Sequence, residues 1–174
     1  ARVQPIVVGN TVLFAQRLGG VIRDFSYDYT QDSYVGKDLT ILARHLFKDR
    51  EIAAWDYAQA PDSIVWVVLD DGALVSLTYM KEQDVWAWTR HESGAHGDAH
   101  FEDVTVIEEN GEDVPYFIVR RTINGQTKRY IERLHSRSFS GVEDAFFVDC
   151  GLTYSGAPTQ TISGLSHLEG QQVV

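Results

Sequence analysis

The sequence predicts a mainly β fold of antiparallel meanders with one amphipathic α-helix. Residues 61–92 (PDSIVWVVLDDGALVSLTYMKEQDVWAWTRHE) contain three strand-like runs separated by turn residues. Asn124-Gly125 joins two further alternating runs, which is the strongest short-range sign of a hairpin. Groups of such strands recur at a spacing of about 45–50 residues, the period typical of β-propeller blades. The meanders are therefore expected to resemble propeller blades.

Composition and charge restrict the classes of function. The chain has 174 residues, of which 44% are hydrophobic and 11% aromatic, enough for a folded core. Its formal net charge is -10 and it has no Lys/Arg-rich run, which argues against a surface that grips nucleic-acid phosphates. No apolar run approaches the roughly 18 residues of a membrane helix. The start at Ala1 and the end at Val174 favour an excised fragment of a longer protein.

The first predicted region, residues 1–50, holds a strand hairpin and the helix. Strands are predicted at residues 5–8, 11–16 and 21–29, with glycines at 19 and 20 forming the hairpin turn. Apolar residues then recur at helical spacing, which predicts a helix from Asp38 to Lys48 with Asp38 as its N-cap. The apolar face of this helix consists of Leu39, Leu42, Ala43, Leu46 and Phe47.

The rest of the chain divides into two blade-like meanders and a weaker end. Residues 51–100 form the first meander, with strands at 51–59, 64–69, 73–80 and 85–91; the run 64–69 is apolar throughout and is expected to be buried on both faces. Residues 101–140 form the second, with strands at 101–109, 114–123 and 126–134. Residues 141–174 begin a further, truncated strand region, with strands at 145–148 and from residue 165.

One loop carries the only metal-like cluster in the sequence. Imidazole and carboxylate side chains there would suit zinc or a similar ion. The spacing matches no established metal motif, and two glycines in the loop favour a solvated connection instead. The residues concerned are His91, His96 and His100 with Glu92, Asp98, Glu102 and Asp103.

Three further patterns suggest catalysis only weakly. Asp70-Asp71 would supply paired carboxylates for glycoside cleavage, but the following Gly72 explains them as turn residues. The run from Gly164 to Leu168 (GLSHL) begins like a nucleophile elbow and lacks its second glycine. The single cysteine, Cys150, cannot form an internal disulfide and is interpreted as a small core or edge residue.

Aromatic and basic residues offer two possible binding surfaces. The four tryptophans would form a stacking platform for sugars or bases, although their apolar neighbours favour packing in a core or against a partner subunit. The basic residues of one hairpin are interleaved with Glu132, which favours a solvated or salt-bridged face. These two sets are Trp55, Trp66, Trp86 and Trp88, and Arg120, Arg121, Lys128, Arg129 and Arg133.

Six phrases of the sequence resemble a phage structural family. They are NTVLFAQRLGGVIRDFSYDY, DLTILARHLF, PDSIVWVVLDDGALVSLTY, VWAWTRH, RTINGQTKRYIERL and GLSHLEGQQVV. In this order they are similar to the tail nozzle proteins (tail tubular protein B, or tail hub) of short-tailed bacteriophages and related prophages. The resemblance runs from about residue 10 to the end of the chain.

The resemblance implies a virion protein without catalytic residues, and the sequence itself assigns no metal-binding or cofactor-binding residues. It implies a propeller-containing subunit, made in the bacterial cytoplasm, that forms a ring with other copies, six in the usual case. The ring would contact the adaptor and the fibres or spikes of the tail, and DNA would pass through it without sequence-specific binding. An acidic chain suits such a channel.

Two other functions are weighed against this one. A tail-associated, glycan-cleaving depolymerase requires two carboxylates that converge about 5–10 Å apart in a cleft. A propeller-like binding module with no virion role requires neither carboxylates nor a ring. Genomic neighbours encoding portal, adaptor and terminase would distinguish the nozzle from this module.

Overall fold

The computed structural model describes residues 3–17, 20–93, 99–145 and 154–170. Within these ranges the chain forms eleven strands and one α-helix. In order they are β1 (Ile6–Val8), β2 (Thr11–Ala15), β3 (Ile22–Asp28), β4 (Ser33–Val35), α1 (Arg44–Phe47), β5 (Ile52–Ala58), β6 (Ile64–Leu69), β7 (Leu74–Met80), β8 (Val85–His91), β9 (His100–Glu109), β10 (Glu112–Ile123) and β11 (Gln126–Arg133).

The strands form three antiparallel sheets, so the mainly β class predicted from the sequence is confirmed. β1 to β4 make the first sheet and β5 to β8 the second, each with neighbours in chain order. The third sheet has the order β11-β10-β9. Each sheet is a meander because short turns connect strands that are adjacent both in sequence and in space.

The second sheet is the middle layer of a three-layer stack. One face packs against the first sheet, in a core that includes Leu13, Ile22, Val67 and Leu77. The other face packs against the third sheet. Strand β6 is therefore buried along its whole length, as its uninterrupted apolar sequence predicts. The second core contains Ile64, Trp66, Val68, Leu74, Phe101, Val104, Phe117 and Val119.

Buried and half-buried polar contacts hold the layers together. The Asp24 carboxylate of the first sheet accepts a hydrogen bond from the Tyr79 hydroxyl of the second at 3.1 Å. The Asp56 carboxylate of the second sheet accepts one from the Val106 amide of the third at 2.7 Å. Burial and the nearby Asp24 carboxylate raise the pKa of Tyr79, so this hydroxyl stays a donor. The register of one layer on the next is thereby fixed by directional bonds as well as by apolar contact.

The predicted helix from Asp38 to Lys48 is wrong over most of its length. Only Arg44–Phe47 is helical. The Leu39 amide donates to the carbonyl of Ile22 at 2.9 Å, which attaches this segment to β3. Asp38 accepts from the amide and hydroxyl of Thr40 and so closes a turn instead of capping a helix. Leu42, assigned to the apolar face, is 88% exposed.

Two further differences concern short segments. Strand β4 was not predicted, because its three residues are solvent-exposed or half-buried and pair only with β3. Residues 165–170 form a 3₁₀ turn at Ser166–Leu168 where a strand was expected. Most of the strand predicted at 145–148 lies outside the described residues, and Ala145 itself is not in a strand.

Candidate functional site

Two of the three histidines in the metal-like cluster, His91 and His100, have separate structural contacts. His91 Nε2 lies 2.7 Å from the Ser76 hydroxyl, and its ring lies 5.0 Å from that of Trp66. His100 lies against the turn at Gly72. His96 and Asp98 lie outside the described residues. Among the residues that are described, no group of three or more His, Cys, Asp and Glu side chains is placed to hold a metal ion.

The acidic residues of that cluster are also engaged. Glu92 forms an ion pair with Arg90 at 2.9 Å. Asp103 accepts a hydrogen bond from the amide of Val104 at 2.8 Å. Glu102 belongs to an arginine network on the third sheet, described below. The described residues of the cluster are therefore engaged in separate local contacts.

Asp71 stabilises the β6–β7 turn, and Asp70 connects this turn to the residue before β5. Asp70 accepts from the Glu51 amide at 3.1 Å, and Asp71 accepts from the Ala73 amide at the same distance. Asp71 also pairs with Arg50 at 2.7 Å. Both carboxylates thus accept from backbone or arginine donors. The Asp71–Ala73 bond is the local contact expected of a turn residue.

The GLSHL run does not form a nucleophile elbow. Ser166 lies in an exposed 3₁₀ turn with no strand before it among residues 154–165. The His167 ring contacts that of Tyr130 at 6.3 Å. Cys150 lies outside the described residues.

The four tryptophans are packing residues. Trp55 and Trp66 are buried in the two cores, while Trp86 and Trp88 are half-buried against the first. Trp55 Nε1 donates to the Gln4 carbonyl at 2.7 Å, and Trp88 Nε1 donates to the Leu39 carbonyl at 2.8 Å. These rings do not form a shared platform for a ligand.

An arginine ladder lies on the outer face of the third sheet, turned away from the second sheet. We give this name to Arg120, Arg129 and Arg133. Arg120 and Arg129 are cross-strand partners, and both bind Glu102, at 3.1 Å and 2.6 Å. Arg133 binds Glu109 at 2.5 Å. The salt-bridged face expected from the sequence is confirmed for these arginines.

In this ladder the positive charges lie nearer to solvent than the negative charges do. The Arg129 side chain is 61% exposed, whereas its partner Glu102 is 26% exposed. Hydrogen bonds from Arg129, with the charges of Arg129 and Arg120, hold the pKa of Glu102 below its usual value. The carboxylate stays ionised beneath outward-facing guanidinium groups, so solvent meets mainly positive charge here.

Arg121 lies on the opposite, inner face of the third sheet. Its side chain is buried and forms two hydrogen bonds of 2.7 Å with Glu132. It also donates to the Ser93 hydroxyl at 2.7 Å. This bidentate geometry satisfies a buried guanidinium group, so Arg121 is a structural residue.

An aromatic face covers the outside of the first sheet. Cross-strand pairs Val12–Phe25 and Tyr27–Tyr34 share one side of this sheet, because alternation along each strand places such partners together. Phe25 and Tyr34 stack with ring centroids 4.9 Å apart, and Tyr27 meets Tyr34 edge-on at 5.3 Å. We define the aromatic face by Val7, Val12, Phe14, Phe25, Tyr27, Tyr29 and Tyr34.

The aromatic face is apolar and open. Tyr29 is 90% exposed and Tyr34 is 66% exposed. The Tyr27 hydroxyl donates to the exposed carboxylate of Asp32, which raises the pKa of Tyr27. Arg23 lies half-buried on the same face, and its Nε finds no partner among the described side chains. Sequence reasoning missed this surface, although the density of aromatic residues in FSYDYTQDSY was a visible signal.

A shallow cleft of about 300 Å³ is lined by residues 3–6, 54–56, 103 and 104. Its two carboxylates, Asp56 and Asp103, both accept backbone amides. Both carboxylates of the cleft are therefore engaged in backbone contacts.

Comparison with known proteins adds no assignment. No protein-family model matches the chain, and a search of curated proteins finds no match. Within the described ranges, no helix is both long and apolar enough to cross a membrane.

Proposed function

We propose that this chain is a structural component of a bacteriophage or prophage tail. In this role it is part of a nozzle or hub subunit that assembles with copies of itself, lines the exit channel for DNA and contacts other tail proteins. The observation that carries the proposal is the stack of three antiparallel meanders with apolar side chains on its open outer faces. Such a stack suits a subunit that continues its packing into a neighbour.

Sequence phrases that resemble tail nozzle proteins support the proposal. NTVLFAQRLGGVIRDFSYDY covers β2 and β3, and PDSIVWVVLDDGALVSLTY covers β6 and most of β7. RTINGQTKRYIERL covers the end of β10, the turn and all of β11. Each layer of the stack therefore contributes at least one of these phrases. The net charge of -10 suits a channel through which DNA slides without adhering.

A glycan-cleaving depolymerase is the second candidate, and the turn geometry speaks against the carboxylates first considered for it. Asp70 and Asp71 are held by backbone amides and Arg50. A test would incubate the protein with capsular and lipopolysaccharide glycans and compare it with the Asp70→Asn/Asp71→Asn variant. Cleavage that disappears in the variant would establish the enzyme in place of the structural role.

The direct test of the structural role is immunogold electron microscopy of phage particles from the source cells. An antibody against this chain should label the tail, below the capsid, on intact particles. Label that is absent from particles still able to eject DNA would overturn the proposal. An antibody against the capsid protein serves as the control for access.

A further inference from the structure

The two outer faces of the stack have the composition of an interface. At about 200 Å² per aromatic ring, Phe25, Tyr27, Tyr29 and Tyr34 leave on the order of 500 Å² of ring surface in solvent. The largest apolar patch of an ordinary monomer is about 300–600 Å². Val7, Val12 and Phe14 extend the aromatic face further across the first sheet. Its area thus approaches the roughly 800 Å² that each partner contributes to a standard protein interface.

The opposite end of the stack carries a complementary surface. Ile118 and Ile131 are cross-strand partners between the rungs of the arginine ladder, and Ile131 is 79% exposed. The ion pairs of the ladder use the N–H edges of the guanidinium groups. Guanidinium planes stack favourably on tyrosine rings, and arginine and tyrosine are both enriched at the centres of interfaces.

Charge favours contact between unlike faces. The arginine ladder presents guanidinium groups outermost, while the aromatic face has the exposed Asp32 carboxylate at its edge. Two ladders brought together would juxtapose their exposed arginines. Pairing the ladder with the aromatic face avoids this repulsion and places the ladder arginines near the Asp32 carboxylate.

We propose that the aromatic face of one copy docks on the arginine ladder of a second copy. The contact is heterologous, because different surfaces of the two copies meet, and repeated contacts of this kind generate a ring or an open filament. Tyr29 and Tyr34 lie against Ile131 and the ladder arginines in this arrangement. The inference rests on the proposed function only in that both require copies of this chain to assemble.

Chemical cross-linking tests the pairing of unlike faces. In a Cys150→Ser background whose fold is verified by circular dichroism, one protein carries Tyr29→Cys and another carries Ile131→Cys. A short bis-maleimide should give a cross-linked dimer when the two proteins are mixed and none with either protein alone. Leu42→Cys is the matched control, because Leu42 is as exposed as Tyr29 and belongs to neither sheet.

Every other cross-linking pattern contradicts the inference. A dimer formed by Tyr29→Cys alone would mean that aromatic faces pair with each other. Equal cross-linking of Leu42→Cys would indicate random collision. No cross-link in any mixture would mean that the aromatic face is covered by another protein or remains free.

Self-association measured by sedimentation equilibrium tests the same contact without cysteines. Tyr29→Ser and Ile131→Ser should each raise the dissociation constant of self-association at least tenfold, and Leu42→Ser should leave it unchanged. A single-chain mass of the unaltered protein at all concentrations would overturn the inference. Absence of the chain from tails would overturn the proposed function and would leave both of these results standing.

Discussion

Gly72 combines two reasons for being glycine. It has φ +84° in the β6–β7 turn, and a Cβ atom there would lie 2.2 Å from His100 Nδ1. Gly111 has the same φ in the β9–β10 turn, but a Cβ there would meet no atom within 4 Å. Substitution at Gly111 therefore measures backbone strain alone, whereas substitution at Gly72 adds a steric clash.

We expect Gly111→Ala to lower the free energy of unfolding by about 1–2 kcal/mol, the cost of left-handed backbone for a residue with a Cβ. Gly72→Ala should lower it by a further ~1–3 kcal/mol, because the His100 ring or the turn must move. Urea denaturation measures both changes. In a His100→Ala background, Gly72→Ala and Gly111→Ala should lower the free energy of unfolding by the same amount. Equal losses in the protein that retains His100 would contradict the predicted clash.

His91 makes stability depend on pH. Burial, assisted by the charge of Arg137, lowers the pKa of His91 from its usual 6.5. The unfolded chain therefore binds a proton at higher pH than the folded chain does. Neutral His91 therefore contributes fully to the free energy of unfolding above about pH 6.5. This contribution is lost as the pH falls through 6.5 towards the lower pKa of His91 in the folded chain.

The free energy of unfolding should accordingly fall between pH 7.5 and pH 5.5. His91→Gln, which retains a hydrogen-bonding group for Ser76, should reduce this fall, as measured by urea denaturation at several pH values. His45→Gln, at an exposed histidine, should leave the fall unchanged. The same pH dependence in His91→Gln and the unaltered protein would refute the assignment.

At the scale of elements, the segment before α1 is held by β3 instead of by helical bonds. Leu39 is 1% exposed, whereas Leu42 is exposed, although a continuous helix would bury both. Leu39→Ala should cost roughly 3 kcal/mol of unfolding free energy, as for other buried leucines. Leu42→Ala should cost less than about 0.5 kcal/mol. Similar losses in thermal or urea unfolding would favour the helix instead.

The β10–β11 hairpin depends on the buried Arg121–Glu132 pair. Glu132→Gln should lower the free energy of unfolding by roughly 3 kcal/mol, because it removes a bidentate carboxylate partner from a buried guanidinium group. Adding Arg121→Met should recover part of this loss. Glu102→Gln, on the solvent-facing side of the same sheet, should lower the free energy of unfolding by less, as measured by urea denaturation. A larger loss in Glu102→Gln than in Glu132→Gln would contradict the structural role of the Arg121–Glu132 pair.

Element positions could be predicted from the sequence where local pattern and tertiary burial agree. The apolar run at Ile64–Leu69 and the alternation at Val85–His91 match the observed strands. The helix was overpredicted because the Leu39–Ile22 bond is long-range and leaves no trace in local periodicity. The aromatic face could not be assigned, because alternation identifies two sides of a strand without revealing which side a neighbouring sheet covers.

In the whole molecule, the first and third sheets pack on opposite sides of the second sheet. Their outer faces remain open and differ in composition. Burial on both sides explains why β6 is apolar throughout. The outer faces retain exposed tyrosines at one end and isoleucines with arginines at the other. A monomer leaves both faces in water, whereas the proposed assembly of copies would bury them.

Light scattering of the protein at several concentrations measures whether copies of this chain assemble. A structural tail subunit that docks its aromatic face on the arginine ladder of the next copy should have the mass of several chains. A closed ring should keep that mass as the concentration changes. The mass of one chain at every concentration would contradict the account.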